Sequence, residues 1–323
     1  MRRLLAPTVG AAVITIGLVF VWILWDASSS PQSKAFISTP QFLVWVLILC
    51  AQAAFWVLAL GFVLATVYRR ALELRHRGVF TPWLVTEIAV AAALVMLLAV
   101  AFGLAGRFKF PGIAKTAFKH IPSGDEWPLT HHTLKLPVLL GVALLVGVVA
   151  LIGMWIVGLA LDALGRDTPV GAGDIGRFLG LRTDLNALLA IAGTIIGLGT
   201  LATGALRQAI LAANNEPFFK KHPQLQLEFD PVYVLAYGLF FTGLLAIAFA
   251  PTFVAMREAG TRLRDHAYPM VAPSDPSFRD VNERRRALEE LLQVNVSATA
   301  TFKASVAILA PLAGSLVALL LPK

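Results

Sequence analysis

Charge is scarce in this chain, and so is cysteine. Lys, Arg, Asp and Glu make up 14% of its 323 residues and hydrophobic residues 58%, against roughly a quarter and a half in soluble domains. That much apolar surface cannot be hidden in a water-soluble globule of this length. The single cysteine, Cys50, excludes an intrachain disulfide; it lies within an apolar run and reads as a small core residue. Also missing are GxSxG, HExxH, a Walker loop and a dinucleotide fingerprint. The chain therefore reads as non-catalytic, with no cofactor.

What it has are long apolar runs. Windows of about 20 residues, the length that crosses a hydrocarbon core of roughly 30 Å, predict seven transmembrane helices over residues 8–25, 42–68, 83–104, 136–161, 185–206, 232–254 and 298–321. The runs are continuous rather than alternating, which argues against a β-barrel. Met1-Arg2-Arg3 ahead of the first run resembles a signal peptide, but 26–30 lacks a small-x-small cleavage site, so the first helix is read as retained. The fold class is an all-α polytopic membrane bundle. A six-helix membrane region fills 1–256, with outer loops at 107–135 and 207–231, followed by a cytoplasmic loop at 257–297 and the last helix at 298–323.

The net charge of +8 does not imply nucleic acid, because the basic residues cluster at helix ends, where topology and lipid headgroups account for them. Of the 27 lysines and arginines, a cytoplasmic N-terminus places 16 arginines and Lys303 inside and ten basic residues outside. That bias predicts the N-terminus inside and the C-terminus outside, in the cell membrane. The outer loops interleave aromatics with lysines, as in segments that lie on the headgroup surface, and together they are long enough to form a small cap.

The fifth run carries a stripe. At 3.6 residues per turn, Asn186, Ala190, Gly193, Gly197, Thr200, Gly204 and Gln208 share one face, and Leu188, Ile191, Ile195, Leu198 and Ala202 lie opposite. Small faces let membrane helices approach closely. The same face, with Thr194 and Thr203, fits the lining of a narrow water path with Arg207 at its outer mouth. The leading expectation is thus an oligomeric channel or pore-like protein, a membrane-acting effector among its forms. The alternatives are a membrane subunit or scaffold that holds a partner protein, and then a small-solute transporter. No internal repeat or matched pair of broken helices supports the last. Pro251 and Pro311 sit in predicted spans as candidate kinks.

The cytoplasmic loop is expected to be irregular around Pro269, Pro273 and Pro276, then to form an amphipathic helix over 280–294. Asp280 and Glu283 have the spacing of a capping box. Ala287, Leu288, Leu291 and Leu292 form the apolar stripe, and Arg284, Arg285 and Arg286 the basic shoulder. Such a helix packs on its own membrane domain or serves as a partner-docking or gating element.

Ionisable residues within the spans are the default functional candidates in membrane proteins. Here they are Glu87, Asp162 and Lys303, all near helix ends. The element Gly171-Ala172-Gly173-Asp174, with Asp162 seven residues before Pro169, resembles the GxGD and first-aspartate motifs of intramembrane aspartyl proteases and prepilin peptidases. The resemblance implies Asp162 and Asp174 as a proton-sharing pair. Those families place helices or a long insertion between the two aspartates; here 11 residues intervene, and a glycine-rich turn is the alternative reading. His120, His131, His132 and His222 fall on the outer side as remote metal-ligand candidates, which a site would have to bring within about 2 Å of one ion.

Overall fold

The computed structural model describes residues 2–24, 31–79, 81–105, 132–164, 172–226, 229 and 231–293, and all regular structure among them is helical. The helices are α1 (Arg2–Leu24), α2 (Pro31–Ile37), α3 (Pro40–His76), α4 (Pro82–Ala105), α5 (His132–Asp162), α6 (Ala172–Ala213), α7 (Pro217–Lys221), α8 (Pro231–Ala267) and α9 (Phe278–Leu292), with a 3-10 turn at Pro223–Leu225. A helix thus covers each of the first six predicted runs. Among the described residues, four stretches are long and apolar enough to cross a membrane: Pro40–His76, Gly141–Asp162, Gly173–Ala213 and Val234–Ala267. The apolar parts of α1 and α4, Thr8–Leu24 and Val85–Leu97, are shorter. The seventh run, Lys303 within it and most of the 107–135 loop lie outside the described residues.

Helices α3, α5, α6 and α8 form the body. Helices α5 and α6 pack on each other and each also packs on α3 and α8, while α1 lies along α3 and α4 leans on α5. The chain runs up and down, giving the bundle two distinct ends. At one, Phe36 of α2, Phe42 and Trp45 of α3, Ile210 of α6 and Phe219 of α7 form a buried aromatic and aliphatic cap. At the other, arginines and acids from α3, α5, α6, α8 and α9 meet. Among the described residues this cap draws on α2 and on α7, which lies within the expected 207–231 loop; the 107–135 loop falls almost wholly outside them.

The outer surface is apolar. Val13, Ile14 and Leu18 of α1, Leu97 of α4, and Leu239 and Ile247 of α8 are largely exposed. Large side chains standing outward in rows on long apolar helices suit contact with acyl chains, where in water they would aggregate.

Close crossings are built on α5. A Cβ at Gly153 would meet Leu188 of α6 and Val67 of α3 at 3.2 Å, and one at Gly158 would come to 3.1 Å from Thr252 Oγ1 and 3.5 Å from its Cα. Without a hydrophobic driving force between helices in lipid, such intimate packing and inter-helix hydrogen bonds hold them together. Thr252 Oγ1 donates to Met154 O at 3.3 Å, and Trp155 Nε1 donates to Ala248 O at 3.3 Å. These two bonds stitch α5 to α8 on either side of Pro251, which the helix carries in its interior.

The division at 256/257 falls inside α8, which continues to Ala267 before the irregular 268–277 segment. Helix α9 starts at Phe278, two residues before the expected capping box, and Ser277 at its N-cap makes no side-chain capping bond. It ends on Gln293 in a left-handed conformation, φ 51°, whose N–H donates to Glu289 O and Glu290 O. The glycine-rich stretch before the fifth run is helical from Ala172 onward, so Asp174 lies in the first turn of α6, where an acid suits the helix N-terminus.

Candidate functional site

The stripe on α6 divides in two. Towards the aromatic end it is buried. Thr200 is fully enclosed, Gly204 is buried, and Arg207 is buried with its Nε donating to Phe229 O at 3.2 Å. Towards the basic end Asn186, Ala190 and Thr194 are exposed, and a Cβ on Gly197 would meet nothing within 4 Å among the described residues. Gly193, between them, is buried. The opposite, bulky side carries the core, with Leu188 wholly buried and Ile195 and Ala202 nearly so. Apart from Gly193, the small-residue face of the half towards the basic end is therefore not how α6 meets its described neighbours. It meets them with leucines and isoleucines, and the small partner that makes room for Leu188 is Gly153 on α5.

The hydroxyls on this face are locally satisfied. Thr194 Oγ1 donates to Ala190 O at 2.8 Å, Thr200 Oγ1 to Ile196 O at 2.6 Å and Thr203 Oγ1 to Gly199 O at 2.8 Å. Each is a bond to the carbonyl four residues back. Their oxygens keep acceptor capacity, but the protons are engaged.

Gly199, absent from the stripe as read from the sequence, is where three helices converge. A Cβ there would stand 3.0 Å from Tyr237 Oη of α8 and 3.6 Å from Gln52 Nε2 of α3. Gln52 is buried in the middle of an apolar helix, and one turn along α3 Trp56 Nε1 is buried with no hydrogen-bond partner among the described residues. A lone glutamine in an apolar run is the available signal in the sequence.

The basic end is an ionic network. Arg69 Nη2 donates to both carboxylate oxygens of Asp184 at 2.8 and 2.9 Å, and Arg70 reaches Asp184 Oδ2 through Nε at 2.7 Å and Nη2 at 2.5 Å. Arg70 Nη1 also holds Glu73 at 2.8 Å, and Arg177 of α6 pairs with Glu73 from the other side. Arg262 Nη2 donates to Leu161 O at 3.4 Å and Asp162 O at 3.0 Å, capping the last carbonyls of α5, with the Asp162 carboxylate 3.8 Å away. Asp162 is thus at a capped helix end facing a cation. Of the other two candidate acids, Asp174 is half-buried and Glu87 is exposed on α4.

Helix α9 is docked into this end. Leu288 and Leu292 are buried against α6 and α8, while Leu291 is 52% exposed. The three consecutive arginines diverge. Arg285 is buried, donating to Asp265 Oδ1 at 2.6 Å and to Tyr268 O; Arg284 pairs with Asp280 on the outer face at 3.0 Å; Arg286 is exposed. Arg264 reaches Glu289 at 2.5 Å, and Arg182 donates to Leu292 O at 3.5 Å and to Gln293. The expected basic shoulder is split between a buried latch and the surface.

Among the described residues no three His, Cys, Asp or Glu side chains come together as a metal site. His120 and His131 lie outside the described residues. His132 opens α5, and His222 is exposed with its ring 5.0 Å from that of Phe218. Compared with known proteins, the chain matches no family model, no curated protein and no solved structure.

Proposed function

We propose that the chain is a non-catalytic multi-pass membrane subunit of seven spans, N-terminus cytoplasmic and C-terminus outside in the cell membrane, that assembles with another membrane helix along the inner half of α6. The carrying observation is the Asn186, Ala190, Thr194 and Gly197 face, which has small or weakly polar residues and, among the described residues, no neighbour packed on Gly197, on a lipid-length helix whose opposite side is filled. Bare glycine backbone beside lipid forgoes the close packing that holds membrane helices together. A helix from a second copy or a partner subunit supplies that packing.

Cross-linking tests this reading. In a Cys50→Ala background, cysteine at Ala190 or Thr194 should give a disulfide dimer of the full-length protein in membranes, or a covalent adduct with a second polypeptide, while cysteine at Val13 on α1 should not. Cross-links only to residues 294–323 of the same chain would overturn assembly along this face.

A second reading, the oligomeric pore, rests on the polar members of the same face. Copies meeting there would place Asn186 and Thr194 along a shared path, and reconstituted liposomes would leak small ions. A leak that is unchanged in Gly197→Leu, or absent from liposomes holding cross-linkable protein, would remove it.

A further inference from the structure

We propose that the groove on α8 at the basic end binds a zwitterionic phospholipid with a primary-amine headgroup, of the phosphoethanolamine class. Phe253, Val254, Arg257, Glu258, Thr261 and Arg262, all on α8, line it; it is a shallow depression of about 470 Å³, open on the side away from the helix among the described residues. These positions follow the spacing of a single helix face. At 1.5 Å per residue Arg257 stands about 6 Å beyond Phe253 along the axis, and Arg262 about 13 Å. The groove therefore runs from apolar to charged, in the order in which a phospholipid runs from acyl chain to headgroup.

Its charge pattern chooses among lipids. Arg262 is engaged by Asp162 at 3.8 Å, by Glu258 at 3.9 Å and by the carbonyls that close α5, although its Nε is buried without an acceptor among the described residues. Arg257 is exposed with no ion-pair partner among the described residues, and Glu258, beside it, keeps most of its side chain in the open. With Arg262 held between Glu258 and, behind the lining, Asp162, the two groups left to face a ligand are the Arg257 guanidinium and the open side of the Glu258 carboxylate, a dipolar pair of opposite charges. A phosphodiester suits Arg257 and an ammonium with N–H donors suits Glu258, whereas an anionic headgroup gains no net attraction and a trimethylammonium offers Glu258 no donor. Val254 and Phe253 take the start of an acyl chain. The site does not depend on the assembly proposed above.

The test is lipid titration of the purified full-length protein in detergent, followed by native mass spectrometry. Phosphatidylethanolamine should bind about five- to tenfold more tightly than phosphatidylcholine or phosphatidylglycerol of the same chains. Arg257→Ala should lower its affinity by a similar factor, and Glu258→Gln should abolish the preference for it. Arg284→Ala, on the outer face of α9, is the control and should change nothing. Water-soluble glycerophosphoethanolamine at equal concentration should fail to displace the lipid, because it lacks the chain that Phe253 and Val254 hold. Equal binding of the three lipids, an unaltered Arg257→Ala protein, or displacement by the soluble headgroup would each overturn the proposal, as would a groove that takes up no lipid because residues 294–323 fill it.

Discussion

Arg70 and Asp184 lie 114 residues apart in sequence and within 2.5 Å in space, the guanidinium of one gripping a single carboxylate oxygen of the other through both Nε and Nη2. Both side chains are about nine-tenths buried, where removing one partner leaves an uncompensated charge. Asp184→Asn should therefore destabilise the bundle by about 3 kcal/mol, read as a lowered melting temperature in detergent. An unshifted melting curve for Asp184→Asn would mean that the network contributes nothing.

Two neighbouring glycines on α6 should behave oppositely. Gly199→Leu drives a side chain into Tyr237 and Gln52 and should cost about 1–3 kcal/mol or more as overpacking. Gly197→Leu meets nothing among the described residues, so the isolated protein should melt normally while the cross-linked dimer yield falls. Equal melting temperatures for the two variants would contradict the described orientation of α6.

At the crossing of α5 and α8 there is no slack. Gly158→Val would press against Thr252, including its Cα, and backbone cannot rotate away as a side-chain tip can. Destabilisation of about 1–3 kcal/mol is expected, with Gly147→Val, where a Cβ meets nothing within 4 Å among the described residues, as the tolerated comparison.

Docking of α9 separates its leucines. Leu288→Asp places a charge where 6% of the residue is exposed and should release the helix to protease, whereas Leu291→Asp, at 52% exposure, should leave it docked. Limited proteolysis across 268–293 reads the difference, and equal protection of both variants would count against the docked position.

Acid acts at the approach to α9. Asp275 Oδ1 accepts from Ser277 N at 2.8 Å and Ser277 Oγ at 2.7 Å, and these bonds hold its carboxyl below the usual 3.8. Since the folded value is depressed, the stabilisation is present above about pH 4 and fades as pH falls through the folded value. Carboxyl NMR should find Asp275 titrating nearer its ordinary position in Ser277→Ala, and an identical titration in both proteins would show that the bonds do not form in solution.

The helices are legible in the sequence because continuous apolar runs announce them. Their lengths are not, since α6 and α8 extend well past their apolar cores as polar helices, and hydropathy ends where lipid ends while hydrogen bonding does not. The stripe on α6 is visible as a stripe, but a helical wheel does not say which side a neighbour occupies. The arginines at the inner ends read as topology signals in the sequence. Their partners, Asp184 and Glu73, carry no such mark, because opposite charges at two helix ends become a pair only when the helices are adjacent.

By itself, the sequence determined that this chain is a bundle of apolar helices and where each passes through its most apolar stretch, because lipid enforces backbone hydrogen bonding within each segment. Tertiary structure alone decided that, among the described residues, Gly153, Gly158 and Gly199 sit at tight crossings while Gly197 meets no neighbour, and that Arg285 turns inward while Arg284 and Arg286 face out. Burial depends on what another helix brings to the same place, and composition along one helix carries no record of it.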